Sequence, residues 1–273
     1  MLLYKTAQGP VLEHDGRYYA VHPQEWDSLL AHEDLVPWLK SQAVPERLTE
    51  EPKAPLAPLA SQEIWASGVT YFRSRTARME ESKEAGGGSF YDRVYSADRP
   101  ELFFKATPQR VVGPGGALHR RADSKWIVPE PELTLVINHR GKIIGYTCGN
   151  DLSCRDIEGE NPLYLPQAKV FKKCAGLGPA ILIAEEPISS KAGIQCEIKR
   201  GGASIFHGQT TLAQMKRTPE ELAGWLFKEE EFPHGVFLMT GTGIVPPDDF
   251  CLQTGDEVSI TIEGIGTLTN VMD

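Results

Sequence analysis

The sequence has no apolar run that approaches the roughly 20 residues a membrane-spanning helix needs. Its first residues, Met1-Leu2-Leu3-Tyr4-Lys5, turn polar too soon for the apolar centre of a secretory signal, so a cytoplasmic protein is expected. Positive charge is also short: 28 Lys and Arg against 37 Asp and Glu leave a formal net charge of −9. Phosphate-backbone binding needs a concentrated basic surface, so a nucleic-acid partner is not expected, whereas a local basic pocket for a small anion is compatible with this balance. The five cysteines (Cys148, Cys154, Cys174, Cys196, Cys251) include no CxxC pair, which argues against zinc ribbons and thioredoxin-type chemistry and predicts reduced thiols. No internal repeat is visible. What is present is ordinary globular material: 273 residues, 41% apolar and 24% charged, enough to bury a core.

Two textures divide the chain. In the first, Leu2–Tyr4, Val11–Glu13 and Arg17–Val21 are short apolar runs broken by Gly9-Pro10 and Asp15-Gly16, a hairpin signal. Pro23 to His32, with Trp26, Leu29 and Leu30, has helical spacing. The proline- and charge-rich stretch from Val44 to Leu59 reads as a linker, so residues 1–60 are expected to form a small N-terminal α+β unit and 61–273 the main domain. In that domain Leu133–Ile137, Ile143–Thr147, Ala180–Ala184, Ile194–Lys199, Val236–Met239 and Val258–Ile262 have the length and β-branching of strands. Thr218 before Pro219-Glu220-Glu221 predicts a capped helix reaching Leu226. The expected class is mainly β (α+β), a mixed β-roll or sandwich. Ala85-Gly86-Gly87-Gly88-Ser89 reads either as a surface loop or as the hinge of a lid.

The most informative stretch is Pro129-Glu130-Pro131-Glu132-Leu133. In a strand Glu130 and Glu132 project to one face while Leu133, Leu135 and Ile137 take the other. A turn over Asn138 to Lys142 lets Ile143–Thr147 return antiparallel and brings Asp151 back beside the two glutamates. Three converging carboxylates suit a hard divalent cation, Mg²⁺ first, with Mn²⁺ or Ca²⁺ possible. A bare Glu-x-Glu is more often the solvated face of an edge strand, and the surrounding sequence tips the balance.

Those surroundings resemble the fumarylacetoacetate hydrolase superfamily from about Gly68 to Met272. The matching landmarks, in order, are Gly68-Val69-Thr70-Tyr71, Arg99-Pro100-Glu101-Leu102-Phe103-Phe104-Lys105, Val112-Gly113-Pro114-Gly115 and Pro129–Leu133. Gly149-Asn150-Asp151-Leu152-Ser153-Cys154-Arg155-Asp156, Gly176-Leu177-Gly178-Pro179, Thr240-Gly241-Thr242-Gly243 and Gly255-Asp256-Glu257-Val258 complete the set. The resemblance implies a β-roll, a homodimer or homotetramer, and metal ligation by Glu130, Glu132 and Asp151. Carbon–carbon hydrolases of this family carry a His three residues after the motif Tyr; here that position is Ser74, which cannot take a proton as imidazole does. The segments Tyr91–Tyr95, Arg99–Glu101, Glu158–Lys169 and Gly243–Pro247 are instead similar to the branch that dehydrates 2-keto-3-deoxy sugar acids, and by that likeness Ser74, Glu101, Lys169 and Thr242 join the site.

The implied reaction is conversion of a 2-keto-3-deoxypentonate, of the 2-dehydro-3-deoxy-D-arabinonate type, to 2-oxoglutarate semialdehyde. Lys169 is the candidate base at C3, with Lys105 a competitor for that role or a substrate contact; Glu101 would protonate the departing C4 hydroxyl. Thr242, Ser74 and Arg75 or Arg78 would hold substrate oxygens, although Arg73, Arg75 and Arg78 equally suit a solvated helix face. His119, His139, His207 and His234 have no partner spacing that marks a site. Competing readings are a hydrolase of acylpyruvates or diketo sugar acids, a decarboxylase or tautomerase, and a metal-dependent binding protein without catalysis.

Overall fold

The computed structural model describes residues 1–22, 25–74, 76 and 88–273, with backbone alone considered for 88–91. Arg75, Arg78 and the start of the glycine tract lie outside the described residues. The strands in the first part of the chain are β1 (Leu2–Thr6), β2 (Gly9–His14), β3 (Arg17–Ala20), β4 (Leu48–Thr49), β5 (Glu63–Gly68), β6 (Glu101–Ala106), β7 (Val111–Val112), β8 (Ala117–Leu118) and β9 (Ile127–Val128). They continue as β10 (Pro131–Ile137), β11 (Ile143–Asp151), β12 (Ser153–Cys154), β13 (Ala175–Ile183), β14 (Gly193–Arg200), β15 (Ala203–Thr211), β16 (Val236–Met239), β17 (Glu257–Ile262) and β18 (Gly266–Met272). Among the described residues they form a mixed eleven-stranded sheet ordered β4-β3-β2-β1-β13-β11-β10-β16-β5-β6 with β7 beside β13, a five-stranded sheet ordered β15-β14-β17-β18-β8, and the pair β12-β9. This is the mainly β, mixed-sheet class that the short, β-branched apolar runs predict. No helix among the described residues is long and apolar enough to cross a membrane.

The hairpin β10–β11 is the centre of the large sheet. Pro131 pairs with Asn150 and Glu132 with Gly149, and the whole of β10 is buried. Leu133, Leu135 and Ile137 enter the core cluster together with Ile181, Ile194, Ile198, Val258 and Ile260. The two sheets therefore share one hydrophobic interior, whose burial is the main favourable term in holding them together.

The N-terminal hairpin is hydrogen-bonded into the same sheet. β1 pairs antiparallel with β13, Leu2 opposite Leu182 and Leu3 opposite Ile181. Local patterning identifies that hairpin, but its partner is most of the chain away. The proline-rich stretch before β5 touches it too: Leu56 N–H donates to Lys5 O at 2.8 Å, and the Trp26 indole N–H donates to Pro58 O at 3.0 Å. The helix expected near Pro23 is described over Trp26–Leu30. A second, Leu35–Gln42, carries Pro37 in its first turn, where a missing N–H breaks no helical bond.

The helix Pro219–Leu226 starts as its residues predict: Thr218 Oγ1 accepts from Glu221 N–H at 3.1 Å, and Leu222, Ala223 and Leu226 face inward. Thr218→Ala should lower folding stability by about 1 kcal/mol, the usual contribution of such a cap. Equilibrium urea unfolding checks this, and an unchanged midpoint would mean that the hydroxyl contributes nothing.

Candidate metal centre and active site

Glu130, Glu132 and Asp151 each present a carboxylate oxygen within 4.8 Å of the others. All are almost completely buried, at 4%, 1% and 1% exposure. The hairpin register produces the cluster, since Asp151 N–H donates to Glu130 O at 3.0 Å and so aligns the end of β11 with the start of β10. Asn150 Oδ1 accepts from Glu130 N–H at 3.2 Å and fixes that corner.

Three buried anions need compensation, and the chain supplies three cations. Lys169 Nζ lies 2.6 Å from Glu130 Oε2 and 2.9 Å from Asp151 Oδ2, and donates to Ser153 Oγ at 2.6 Å. Lys105 Nζ lies 2.6 Å from Asp151 Oδ1 and donates to the Leu152 and Lys169 carbonyls at 2.9 and 2.5 Å. Arg155 Nη2 lies 2.7 Å from Glu130 Oε1. Among the described residues Glu132 makes no ion pair, and it feels the Lys169 charge from further away. Its Oε2 accepts the Gly241 N–H at 2.6 Å, and burial first, then the Asp151 and Glu130 carboxylates, push its pKa well above the usual carboxylate range. A divalent ion is the natural remedy for that excess, and three hard oxygens in one dry cluster fit Mg²⁺ or Mn²⁺.

The local backbone explains how these groups meet. Ser153 stands two residues after Asp151, and its hydroxyl also donates to Asp151 O at 2.9 Å. Lys169 ends the short helix Leu165–Lys169, which Pro166 opens. In β6, Trp65 pairs with Phe104 and Ile64 with Ala106, so Lys105 is the extra residue of a bulge, a device that re-aims a side chain. Glu101 shares the strand face of Phe103, whose ring lies 5.5 Å from Lys169 Nζ. Opposite Glu101 is Gly68, where a Cβ would fall 1.9 Å from Glu101 Oε2, so only glycine leaves room for that carboxyl.

Ser74 lies in a short helical turn after β5, and Thr242 on the segment that follows β16. Ser74 is buried; its Oγ donates to Tyr71 O at 2.8 Å and receives Tyr71 N–H at 3.3 Å, closing a helical turn. Thr242 Oγ1 pairs with the Ile244 backbone at 3.1 Å, one residue beyond the Gly241 N–H that holds Glu132. Gly241 has φ +91°, and a Cβ there would meet Thr70 Oγ1 at 2.0 Å. Arg75 is outside the described residues. The structure thus brings Glu130, Glu132, Asp151, Lys169 and Lys105 together. Ser153 and Arg155 are contacts of this cluster that sequence reasoning placed only inside a motif; the signal was Ser153 at two-residue strand spacing from Asp151.

The chain belongs to the fumarylacetoacetate hydrolase C-terminal family, whose model matches residues 64–273. Among curated relatives, the probable 2-keto-3-deoxyxylonate dehydratase of Haloferax volcanii is 49% identical over 214 residues, 78% of this chain and 73% of that one. The 2-dehydro-3-deoxy-D-arabinonate dehydratase of Saccharolobus solfataricus is 45% identical over 215 residues, covering 77% and 72%. A solved 2-keto-3-deoxy-D-arabinonate dehydratase, complexed with magnesium and 2,5-dioxopentanoate, superposes with a TM-score of 0.81 at 34% identity, covering 100% of this chain and 99% of that one.

Glu132→Gln keeps an oxygen for Gly241 while removing one of three like charges. The variant should lose Mg²⁺ binding by calorimetry and, without metal, melt no lower than the parent. Retained Mg²⁺ affinity would remove Glu132 from the ligand set.

Proposed function

We propose that this chain is a Mg²⁺-dependent dehydratase of a 2-keto-3-deoxy sugar acid of the 2-dehydro-3-deoxy-D-arabinonate type, forming 2-oxoglutarate semialdehyde. The observation that carries the reading is the buried Glu130/Glu132/Asp151 cluster with Lys169 against two of its members. The identity of 49% and 45% to two dehydratases supports the choice of reaction. Ser74, standing where the hydrolase branch carries its His, disfavours water attack on a carbon–carbon bond.

Glu130, Glu132 and Asp151 would hold Mg²⁺, which would supply Lewis acidity to the 2-keto acid group of the substrate. Lys169 is the base that removes a C3 proton, and to act it must first be neutral, with Ser153 Oγ in contact as the neighbour that can hold or pass that proton. Glu101 delivers a proton to the departing C4 hydroxyl, so that water leaves; tautomerisation toward C5 then yields the aldehyde. Thr242, Ser74 and Arg75 hold substrate oxygens. Lys105, its ammonium surrounded by protein acceptors, orients Asp151 and contributes positive charge toward the anionic substrate. The same reading includes a small N-terminal unit over residues 1–60, a catalytic domain over 61–273, a homodimer or homotetramer, and a cytoplasmic location.

Purified protein with Mg²⁺ and a 2-keto-3-deoxypentonate should release a trappable semialdehyde and should not release pyruvate from an acylpyruvate. The opposite pattern would make it a hydrolase. Lys169→Met should still bind the sugar acid but turn over 10²- to 10⁴-fold more slowly, about the contribution of a positioned base. Near-normal turnover would move the base elsewhere. Light scattering after size exclusion gives the subunit number, and a monomer would remove the oligomer from the reading.

A further inference from the structure

Tyr71 has no role in the mechanism above, yet its side chain is buried beside the site. Only 1% of the residue is exposed, and its phenol oxygen finds no hydrogen-bond partner among the described residues. A buried hydroxyl without a partner is rare, because removing it from water without replacing the lost hydrogen bond is unfavourable.

The surroundings give the orphan a direction. The Tyr71 backbone bridges Met215, and Lys216 N–H donates to Thr70 O at 2.9 Å, so the main chain here is pinned. Val69, two residues earlier, sits at φ 54°, a left-handed conformation that a β-branched residue adopts only where its neighbours impose it. The ring packs on Gly243, where a Cβ would come within 2.6 Å of Tyr71 Cδ1. Gly243 stands two residues after Gly241, whose N–H holds Glu132 Oε2, so the Tyr71 ring packs on the loop that touches that carboxylate; burial first, then Glu132, raise the phenol pKa.

We infer that the Tyr71 hydroxyl is a substrate contact, donating a hydrogen bond to an oxygen at the keto-carboxylate end of the bound 2-keto acid, on the Glu132 side of the metal. The inference rests on the proposed 2-keto acid site, but not on the fate of the C4 hydroxyl. A donor kept free for the ligand is satisfied only when that oxygen arrives, so it favours the bound over the empty state. Where negative charge grows on the keto oxygen as the C3 proton leaves, the same donor strengthens during the reaction.

Tyr71→Phe removes one oxygen and leaves the ring on Gly243. Three measurements test it: thermal unfolding of the metal-free protein, calorimetric binding of oxalate in the presence of Mg²⁺, and kcat/KM. Oxalate carries the chelating oxygens without the sugar hydroxyls. The expected result is an unfolding temperature equal to or above that of the parent, oxalate binding weaker by roughly tenfold, and a fall in kcat/KM at least as large. Unchanged oxalate affinity would overturn the assignment, and so would a lowered unfolding temperature, which would mean that the hydroxyl serves the fold. A parent protein that binds oxalate with Mg²⁺ yet makes no semialdehyde would refute the dehydratase reading while leaving the Tyr71 contact to be judged by oxalate.

Discussion

Three like charges in one dry cluster are an arrangement that a folded chain tolerates only with compensation. Isolated ions lose their hydration on burial, and the loss is recovered only where counter-charges and donors are already in place. Around Glu130, Glu132 and Asp151 the compensation is uneven. Lys105, Lys169 and Arg155 address Glu130 and Asp151, whereas Glu132 receives a single backbone N–H. That unevenness leaves a demand for positive charge on the Glu132 side of the cluster, which suits the cation site proposed there.

The framework serves this constraint by close approach of backbones. Gly68 gives Glu101 its space, and Gly241 lets a main-chain amide come against Glu132. Neither contact would survive a side chain of ordinary size. The segments that bear Ser74 and Thr242 are tied to the same strands through Thr70, whose hydroxyl donates to Thr240 O at 2.6 Å, so the groups expected to meet substrate are linked to the ligand-bearing hairpin by few bonds. A site made this way depends on strand register more than on loop flexibility, which suits chemistry needing a base, an acid and a cation in fixed relation.

How much of this could be read beforehand follows from the range of each interaction. The ligand hairpin is local: strand alternation and a five-residue turn place Glu130, Glu132 and Asp151 together, and the pairing of Glu132 with Gly149 agrees with that reasoning. The cap at Thr218 is local too. Lys169 reached the list by family likeness, because nothing in the spacing between Asp151 and a lysine on a later helix says that they touch. The sequence marks Lys105 but not its setting, since the bulge that turns it under Asp151 depends on register against β5. Arg155 and Ser153 were visible as letters and unassigned as contacts. Tyr71 was part of a motif, but the absence of any partner for its hydroxyl exists only in three dimensions.

The union of β1 with β13 also bears on how the protein is made. Leu182 is synthesised 180 residues after Leu2, the residue it pairs with. At 5–20 residues per second that interval is roughly ten seconds or more. Throughout it the nascent hairpin has one unsatisfied rim and no native mate, a condition that invites pairing with foreign strands. The strand that finally closes this rim lies next to the one bearing Asp151, so one pairing covers the hairpin and flanks that strand, while β16 must still join β10 from the other side.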